Sequence, residues 1–350
     1  MESRVAAPSI PIVRDQWYVA AYGAEVTRTF LARTICNEPI VFYRTGDGAP
    51  VALADRCVHR RYPLSESRLD GDNVVCGYHG FTYGTDGVCV AVPGQSRVPR
   101  TARVAAYPVV EQDSFIWVFI GDPALAAQRR IPRAPWLNAD SGYETVAGME
   151  PIRSRYALLV DNLLDLSHET YLHGGYIGTP EVASTPIETS VDEAAGIVRV
   201  SRRMADAECP PFYANSTGIA GRISRWQDVE YHAPCLYLLH SRVAPVGSLP
   251  HEDGTDPDAF HTEITYAITP ETEHSVLDFW MVSRDFARGD AAVTEFMAKN
   301  NHTVVMQDVD ALNILEAVIA AEPEGFQELS IAIDAGGLAA RRMLQRLAAA

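Results

Sequence analysis

Two short segments of the chain combine a cysteine with a nearby histidine. CVHRRYPL contains Cys57 and His59, and CGYHG contains Cys76 and His79, so each segment offers one thiol and one imidazole. Zinc fingers usually place cysteine with cysteine and histidine with histidine, although a structural zinc ion remains the alternative here. The mixed order favours a [2Fe–2S] cluster in which two cysteines bind one iron and two histidines bind the other. Such a cluster accepts and passes on single electrons.

The segment DNLLDLSHETYLHGG carries more polar side chains than a helix requires. Its pattern predicts a helix over residues 158–173, on which Asn162, Asp165 and His168 share one face because they are spaced by three residues. A solvated face with incidental histidines is the alternative interpretation. Glu169 lies off this face and is expected to be solvated.

A second histidine, His173, stands near the predicted helix end, where two glycines favour termination. Two neutral histidines and one carboxylate form the facial triad of a non-haem Fe(II) site, which leaves positions open for O2 and substrate. The late segment QDVDALNILEA offers Asp308, Asp310 and Glu316 as the carboxylate. The spacing favours Asp308, which shares a helical face with leucines, whereas Asp310 and Glu316 are typical of surface positions.

The two sets of candidate ligands fall in regions of different predicted structure. Residues 1–120 contain short runs rich in Val, Ile, Phe and Tyr, bounded by turn signals such as GDG and DGD, which predict a small antiparallel β domain. Residues 121–142 have the proline-rich composition of a connector. Residues 143–350 mix strand-like runs with helical segments, so the chain as a whole is predicted to be α+β.

The composition is that of an ordinary globular protein, with 47% hydrophobic and 21% charged residues. Lys and Arg number 29 against 45 Asp and Glu, a formal charge of -16, which argues against nucleic-acid binding. No apolar run reaches the ~18–20 residues of a membrane span, and no signal peptide is recognisable. A cytoplasmic protein is therefore expected. Four further cysteines are expected to be buried rather than disulfide-bonded: Cys36, Cys89, Cys209 and Cys235.

Over essentially its whole length the sequence resembles the Rieske non-haem iron oxygenases, in particular the single-subunit monooxygenase branch that includes vanillate O-demethylase. The motifs that carry the resemblance are CVHR, CGYHG, DNLLDLSHETYLH, the region from APCLYLL to DFWMVSRDF, QDVDAL and SIAIDAGGLAARR. The resemblance implies an N-terminal all-β Rieske [2Fe–2S] domain, followed by a catalytic domain with a central antiparallel β-sheet flanked by helices. It also implies a head-to-tail homotrimer, in which cooperating metal centres come from neighbouring subunits.

The resemblance further implies a role for each motif residue. The cluster ligands would be Cys57, His59, Cys76 and His79, and the ligands of the mononuclear Fe(II) would be His168, His173 and Asp308. Asp165 would link a catalytic histidine of one subunit to a cluster histidine of its neighbour through hydrogen bonds. Asn162 would lie beside the catalytic iron.

Some positions depart from the family pattern or are assigned by analogy alone. Arg61 stands where family members often have a small residue such as glycine, which puts the shape of the cluster loop or its partner contacts in doubt. Gln307 precedes Asp308 where an acid is common, but a glutamine there leaves the three ligands intact. By analogy, Leu239 and Tyr266 would face the substrate from the central sheet, with core packing as the alternative.

The activity implied is that of the oxygenase component of a monooxygenase that O-demethylates a methoxylated aromatic acid, such as vanillate or an isomer, to the phenol and formaldehyde. It would consume O2 and take electrons from NAD(P)H through a separate reductase with flavin and iron–sulfur centres. The open alternatives are a cis-dihydroxylating dioxygenase, a hydroxylase or demethylase of another aryl substrate, a Rieske ferredoxin-like electron carrier and a structural zinc protein. The sequence does not identify the aromatic substrate.

Overall fold

A computed structural model describes residues 3–6, 10–322 and 326–349 of the chain. The chain divides into two units, each with its own buried apolar cluster. The first unit comprises Arg14–Arg133 and Thr269–Thr272, and the second comprises Met1–Val13, Ala134–Ile268 and Glu273–Ala350.

The first unit consists of short antiparallel strands, because its runs of β-branched and aromatic residues are interrupted by turn residues every few positions. Strand β1 (Ser3–Ala6) belongs to the second unit. The strands of the first unit are β2 (Gln16–Tyr22), β3 (Leu31–Ile35), β4 (Glu38–Arg44), β5 (Pro50–Ala54), β6 (Arg68–Asp70), β7 (Asn73–Val75), β8 (Thr82–Tyr83), β9 (Cys89–Ala91), β10 (Val109–Gln112) and β11 (Phe115–Ile120). They form three sheets, with the orders β3-β4-β5, β6-β7-β8-β9 and β10-β11-β2.

The second unit is built on a seven-stranded antiparallel sheet. Its strands are β12 (Glu144–Ile152), β13 (Glu188–Asp192), β14 (Ile197–Ala207), β15 (Ile223–His232), β16 (Leu236–Pro245), β17 (Phe260–Thr272), β18 (Ser275–Arg284) and β19 (Gln327–Ser330). The order in the large sheet is β12-β18-β17-β16-β15-β14-β13, and β19 pairs separately with β1. Long neighbouring strands in continuous register give this sheet a rigid face, on which the side chains of alternate residues line up.

Helices accompany this sheet, which confirms the predicted α+β class with an N-terminal β domain. The α-helices are α1 (Tyr156–Leu164), α2 (Glu169–Leu172), α3 (Pro180–Ser184), α4 (Pro211–Thr217), α5 (Ala291–Ala321) and α6 (Ala335–Ala349). Shorter 3-10 helices span Gly23–Glu25, Pro123–Gln128, Pro135–Leu137, Leu166–His168 and Ala332–Asp334. Among the helices that the structure describes, none combines the length and the apolar composition needed to cross a membrane.

The helix predicted over residues 158–173 is not continuous. Helix α1 ends at Leu164, and Asp165 leaves the helical conformation with φ -118° and ψ 87°. The Asp165 carboxylate accepts a hydrogen bond from the backbone N–H of Ser167 (2.9 Å) and begins a separate 3-10 turn. A short acidic side chain that competes in this way for backbone donors interrupts a helix, which the spacing pattern did not reveal.

Candidate metal centres and cavities

The first cysteine–histidine segment forms a tight loop after β5. The backbone N–H of Cys57 donates to the Tyr62 carbonyl (2.8 Å), and the N–H of Arg61 donates to the Cys57 carbonyl (2.9 Å). Arg61 adopts the left-handed conformation with φ 60°. The loop thus keeps a shape that favours glycine at this position, although the chain has arginine there.

The second segment, after β7, repeats this backbone pattern. The N–H of Cys76 donates to the Phe81 carbonyl (2.8 Å), and the N–H of Gly80 donates to the Cys76 carbonyl (3.0 Å). Gly80, the counterpart of the arginine in the first loop, has φ 71°. A Cβ atom added to Gly80 would also lie 2.9 Å from Pro93 Cγ, so this loop requires its glycine for two reasons.

The four side chains of these loops form two pairs rather than one cage. Burial raises the pKa of the Cys76 thiol, and the adjacent Cys57 thiol raises this pKa further. The rings of His59 and His79 have their centroids 4.6 Å apart. No three of these four donors lie within 4.8 Å of one another in the described structure. Paired thiols and paired imidazoles therefore fit a two-iron cluster better than one tetrahedral zinc ion.

The His59 ring offers a nitrogen suited to a metal. His59 Nδ1 is buried and has no hydrogen-bond partner among the residues described, which is unfavourable unless a ligand occupies it. The ring is held by stacking on Phe81, with centroids 4.9 Å apart. The Tyr83 hydroxyl lies 3.1 Å from Cys57 Sγ and is placed to hydrogen-bond the sulfur. The first loop therefore holds Cys57 and His59 in place and leaves one ring nitrogen of His59 without a partner in the described structure.

The second candidate centre lies where the broken helix meets α5. The ligand atoms of His168, His173 and Asp308 lie within 4.8 Å of one another. Asp308 Oδ1 is 3.2 Å from His173 Nε2 and 3.5 Å from His168 Nε2. Asp310, on the same helix, is exposed. Two imidazoles and one carboxylate around one point are the donor set of a facial triad, so these residues fit a mononuclear ferrous ion.

Hydrogen bonds fix which nitrogen each histidine presents. His168 Nδ1 donates to the backbone carbonyl of Asp165 (2.6 Å), and His173 Nδ1 donates to Gln307 Oε1 (2.9 Å). Because both acceptors hold the proton on Nδ1, each imidazole turns Nε2 towards Asp308. Gln307 thus has a positioning role that its sequence neighbourhood did not indicate. Asp165 orients His168 through its main chain rather than its carboxylate.

The electrostatics of this centre favour a positive charge. Burial lowers the pKa of His173, but the hydrogen bond and charge of Asp308 outweigh burial and raise this pKa above its ordinary value. Asn162 Nδ2 donates to Asp308 Oδ1 (3.0 Å) and so orients the carboxylate. A divalent cation among these groups would supply the charge that the carboxylate attracts.

The candidate iron site lies beside two cavities. The outer cavity is lined by Asn162, Asp165 and His168 together with residues of α6. His168 also lines the inner cavity, whose walls include Leu239 of β16 and Tyr266 of β17. The side chains of the predicted polar face therefore do share one surface despite the helix break, and both residues assigned by analogy border the second space.

The inner cavity is mainly apolar and aromatic. Its apolar and aromatic walls are Leu163, Leu166, Ile177, Phe212, Tyr213, Tyr237, Leu239, Ile264, Tyr266 and Val304. The polar groups that border it are His168, Glu169, His173, Arg225, Asn301 and Asp308. Apolar and aromatic walls with a few polar groups are typical of sites that bind small organic ligands.

Two acidic residues expected at the surface are buried. Glu169 is only 3% exposed, and its carboxylate accepts from Arg225 Nη2 (2.9 Å) and Gln227 Nε2 (3.1 Å). Glu316 is 6% exposed and accepts from Arg155 Nε (2.7 Å). The expectation of solvated side chains is therefore wrong at both positions. Their partners are far away in sequence, so no local spacing could have indicated them.

Two models of protein families match the chain. The model of the Rieske [2Fe-2S] domain matches residues 16–108, and the model of the vanillate O-demethylase oxygenase C-terminal domain matches residues 152–350. The first range contains both cysteine–histidine loops. The second contains the cluster of His168, His173 and Asp308.

Curated relatives align with almost the whole chain. The vanillate O-demethylase oxygenase subunit of a Pseudomonas sp. is 35% identical over 96% of this chain and 95% of its own length. The iron-sulfur subunit of the toluene-4-sulfonate monooxygenase system of Comamonas testosteroni is 32% identical, with 96% of each chain covered. The oxygenase component of dicamba O-demethylase from Stenotrophomonas maltophilia is 32% identical over 96% of this chain and 97% of its own length.

Solved structures agree with these matches. Dicamba monooxygenase bound to 3,6-dichlorosalicylic acid superposes with a TM-score of 0.89 at 30% identity, covering 97% of this chain and 98% of that chain. A structure of the same protein with non-heme iron and dicamba gives a TM-score of 0.79 at 29% identity, with the same coverage. The cofactors of the chain are a Rieske [2Fe–2S] cluster and a mononuclear iron at His168, His173 and Asp308.

Proposed function

Because the chain belongs to the Rieske non-haem iron oxygenases of the vanillate O-demethylase family, we propose that it removes the methyl group from a methoxylated aromatic acid such as vanillate or an isomer. In this reaction the methoxy carbon is hydroxylated, and the resulting hemiacetal breaks down to the phenol and formaldehyde. One O2 and one NAD(P)H with a proton are consumed, and the second oxygen atom leaves as water. The observation that carries the proposal is the facial triad at the wall of a ring-accepting cavity.

The proposed cluster ligands are Cys57, His59, Cys76 and His79, for which the paired thiols and paired imidazoles are the supporting geometry. When bound at these residues and at the facial triad, the two metal centres would supply single electrons and O2 activation. The chain's own contribution is positional. Main-chain and amide acceptors hold both histidines in one tautomer, and Asn162 orients the Asp308 carboxylate.

The substrate is proposed to bind in the inner cavity. Leu239 and Tyr266 lie on neighbouring strands, and their register partners Ile264 and Tyr237 border the same cavity. Alternate residues of these strands therefore present one wall to a bound ring. The close fit of such walls would hold the methoxy group next to the metal and keep bulk water away.

A separate flavin and iron–sulfur reductase would supply the electrons, and the working assembly is proposed to be a cytoplasmic head-to-tail homotrimer. A stripe of exposed apolar side chains on α5 supports such an assembly. Ile314, Leu315 and Val318 are 65%, 48% and 53% exposed, which is unusual for large apolar residues on one helix.

Asp165 is the proposed bridge for electrons between subunits of this trimer. Its carboxylate belongs to the wall of the outer cavity, while its carbonyl holds His168. Asp165→Asn keeps that carbonyl, so we expect the variant to retain all its iron but lose most product formation coupled to NADH oxidation. Iron analysis and the ratio of formaldehyde to NADH test this role. Unchanged coupling would rule out the bridge.

Turnover with a reductase, NADH and a panel of methoxybenzoates tests the proposed activity. We expect formaldehyde and the matching hydroxybenzoate in equal amounts from at least one member of the panel. A cis-diol without formaldehyde would instead assign a ring-dihydroxylating dioxygenase. Electron transfer to an acceptor protein with no product from any aromatic compound would assign an electron carrier.

A further inference from the structure

A buried network of charged and amide groups borders the inner cavity through Glu169 and Arg225. Glu169 accepts from Arg225 on one carboxylate oxygen and from Gln227 on the other. Gln227 Oε1 in turn accepts from Arg202 Nη1 (3.4 Å). All four side chains are at least 96% buried, so their charges act on one another with little screening by water.

Two arginines and one carboxylate are hydrogen-bonded within this network. Arg225 and Arg202 are both cationic, and Glu169 is the carboxylate to which the network is bonded. Arg202 forms no ion pair within the part of the chain that the structure describes, although the charges of Glu169 and Asp165 act on it at longer range. A buried cation without a direct ion pair is costly, and a nearby bound anion would reduce this cost.

Two residues that border the cavity each have a hydrogen-bond donor without an acceptor in the described structure. Arg225 Nε and Asn301 Nδ2 are both buried, and neither has a hydrogen-bond partner among the described residues. Arg225 is held in place by its ion pair and by the Tyr213 ring, which lies 5.1 Å from its guanidinium carbon. Unsatisfied donors of this kind are rare in protein interiors and indicate a place for an acceptor.

The position of Asn301 relates these donors to the metal. Asn301, Val304 and Asp308 all border the cavity from α5, and two helical turns separate Asn301 from Asp308, about 10 Å along the axis. The space open to the centres of water molecules is ≈ 50 Å³, against ~10–15 Å³ for one water. The cavity thus has room for a small ligand between the iron site and Asn301.

We propose that Arg225 and Asn301 form a subsite for an oxyanion substituent of the substrate, a carboxylate or a sulfonate on the aromatic ring. This inference rests on the proposed function and adds the residues that select the acidic group. An oxyanion offers hydrogen-bond acceptors to the two unsatisfied donors and a negative charge to the guanidinium of Arg225. A neutral carboxamide would satisfy neither requirement fully.

Calorimetric binding of benzoate, benzenesulfonate and benzamide to the iron-loaded trimer tests the subsite without turnover. We expect the wild type to bind at least one of the two anions about 10-fold or more tightly than benzamide, as charged hydrogen bonds warrant. Asn301→Leu should weaken that anion about 10-fold and change benzamide by less than about 3-fold. The difference between benzoate and benzenesulfonate identifies which oxyanion the subsite fits.

The neighbouring Asn300 provides a matched control. Its Nδ2 is equally buried and lacks a partner in the described structure, but Asn300 does not border the cavity. Asn300→Leu should therefore leave binding of both anions unchanged. If Asn301→Leu does not fold, Asn301→Asp is the second variant. Its added negative charge should weaken anion binding by more than 10-fold while benzamide still binds.

The outcomes separate this proposal from the proposed activity. Equal affinities for benzoate, benzenesulfonate and benzamide in the wild type would overturn the subsite, as would equal losses in Asn300→Leu and Asn301→Leu. Anion binding that depends on Asn301, together with no formaldehyde from any methoxybenzoate, would keep the subsite and overturn the demethylase activity. If neutral methoxyarenes are demethylated as efficiently as methoxylated acids, the demethylase activity stands and the oxyanion subsite is overturned.

Discussion

The hydrogen bonds of His168 and His173 decide which ring nitrogen each histidine turns towards Asp308. His173 donates to Gln307, and His168 donates to the main chain of Asp165, so that neither ring is free to flip. Partners of this kind commonly change metal affinity by ~10–100-fold when they are removed. The Gln307 side chain can accept this hydrogen bond as a carboxylate would, but it adds no negative charge beside the metal.

Replacing the carboxylate ligand is the direct test of this centre. Asp308→Ala should remove the mononuclear iron and leave the cluster, so that iron falls from about three to about two per chain while acid-labile sulfide stays at about two. Atomic emission and sulfide analysis measure both quantities. Asp310→Ala, at an exposed position of the same helix, should keep all the iron. A loss of iron in that control would contradict the assignment of Asp308.

Sequence patterns predicted correctly whether an acidic side chain is buried where that depends on neighbouring residues of the same helix. Asp308 could be separated from Asp310 because helical spacing places it with apolar residues, and the structure finds Asp308 buried. Glu169 and Glu316 could not be assigned in this way. Arg225 lies 56 residues from Glu169, so only the folded sheet brings the pair together. Charges that are buried by distant partners look like solvated charges in the sequence.

At the scale of elements, two loops of equal backbone shape differ in the residue that must adopt a left-handed conformation. Arg61 and Gly80 occupy this position, with φ 60° and 71°. A side chain with a Cβ atom costs roughly 1–2 kcal/mol there. The resemblance to a family with glycine at the first of these positions raised the question of loop shape, and the structure answers that the shape is retained.

Substitutions at Arg61 and Gly80 should change the free energy of unfolding in opposite directions. Arg61→Gly relieves the left-handed conformation, and we expect the free energy of unfolding of the cluster domain to rise by about 1 kcal/mol. Gly80→Ala adds that strain together with a contact on Pro93, so the free energy should fall by at least about 1 kcal/mol. Urea unfolding followed by cluster absorbance measures both. A destabilised Arg61→Gly would mean that the Arg61 side chain makes a stabilising contact that outweighs the strain.

The segment that carries His168 and His173 shows what helical periodicity can predict and what it cannot. Spacing predicted the shared face of Asn162, Asp165 and His168 because neighbouring turns align such residues. It missed the break at Asp165, since that break arises when the carboxylate captures the N–H of Ser167. The break matters for function, because it frees the Asp165 carbonyl to hold His168.

At the scale of the whole molecule, the second unit carries the iron site and is called the catalytic unit here. It must hold α1 and α5 together, because these helices carry Asn162 and Asp308. Glu316 of α5 binds the start of α1 by accepting from Arg155 Nε (2.7 Å) and from its backbone N–H (3.1 Å). Burial raises the pKa of Glu316, but the Arg155 hydrogen bonds outweigh burial, and with a further hydrogen bond from His274 they lower this pKa to about 2. The folded state therefore prefers the ionised carboxylate.

This preference makes the stability of the catalytic unit depend on pH. The depressed pKa contributes stability that is fully present above the unfolded value of 4.5 and is lost as the pH falls towards about 2. The full contribution is about 3 kcal/mol. We expect the difference in unfolding free energy between the wild type and Glu316→Gln to be largest at pH 7 and about 1 kcal/mol smaller at pH 4.

Urea unfolding of both proteins between pH 7 and pH 4 measures this difference. Glu295→Gln changes an exposed acid of the same helix, for which no ion pair occurs in the described structure, and should follow the wild type throughout. The iron content of Glu316→Gln gives a second readout, because loosening α1 against α5 would separate Asn162 from Asp308 and weaken the metal site. A difference that stays constant from pH 7 to pH 4 would show that Glu316 stabilises the fold by packing rather than by its charge.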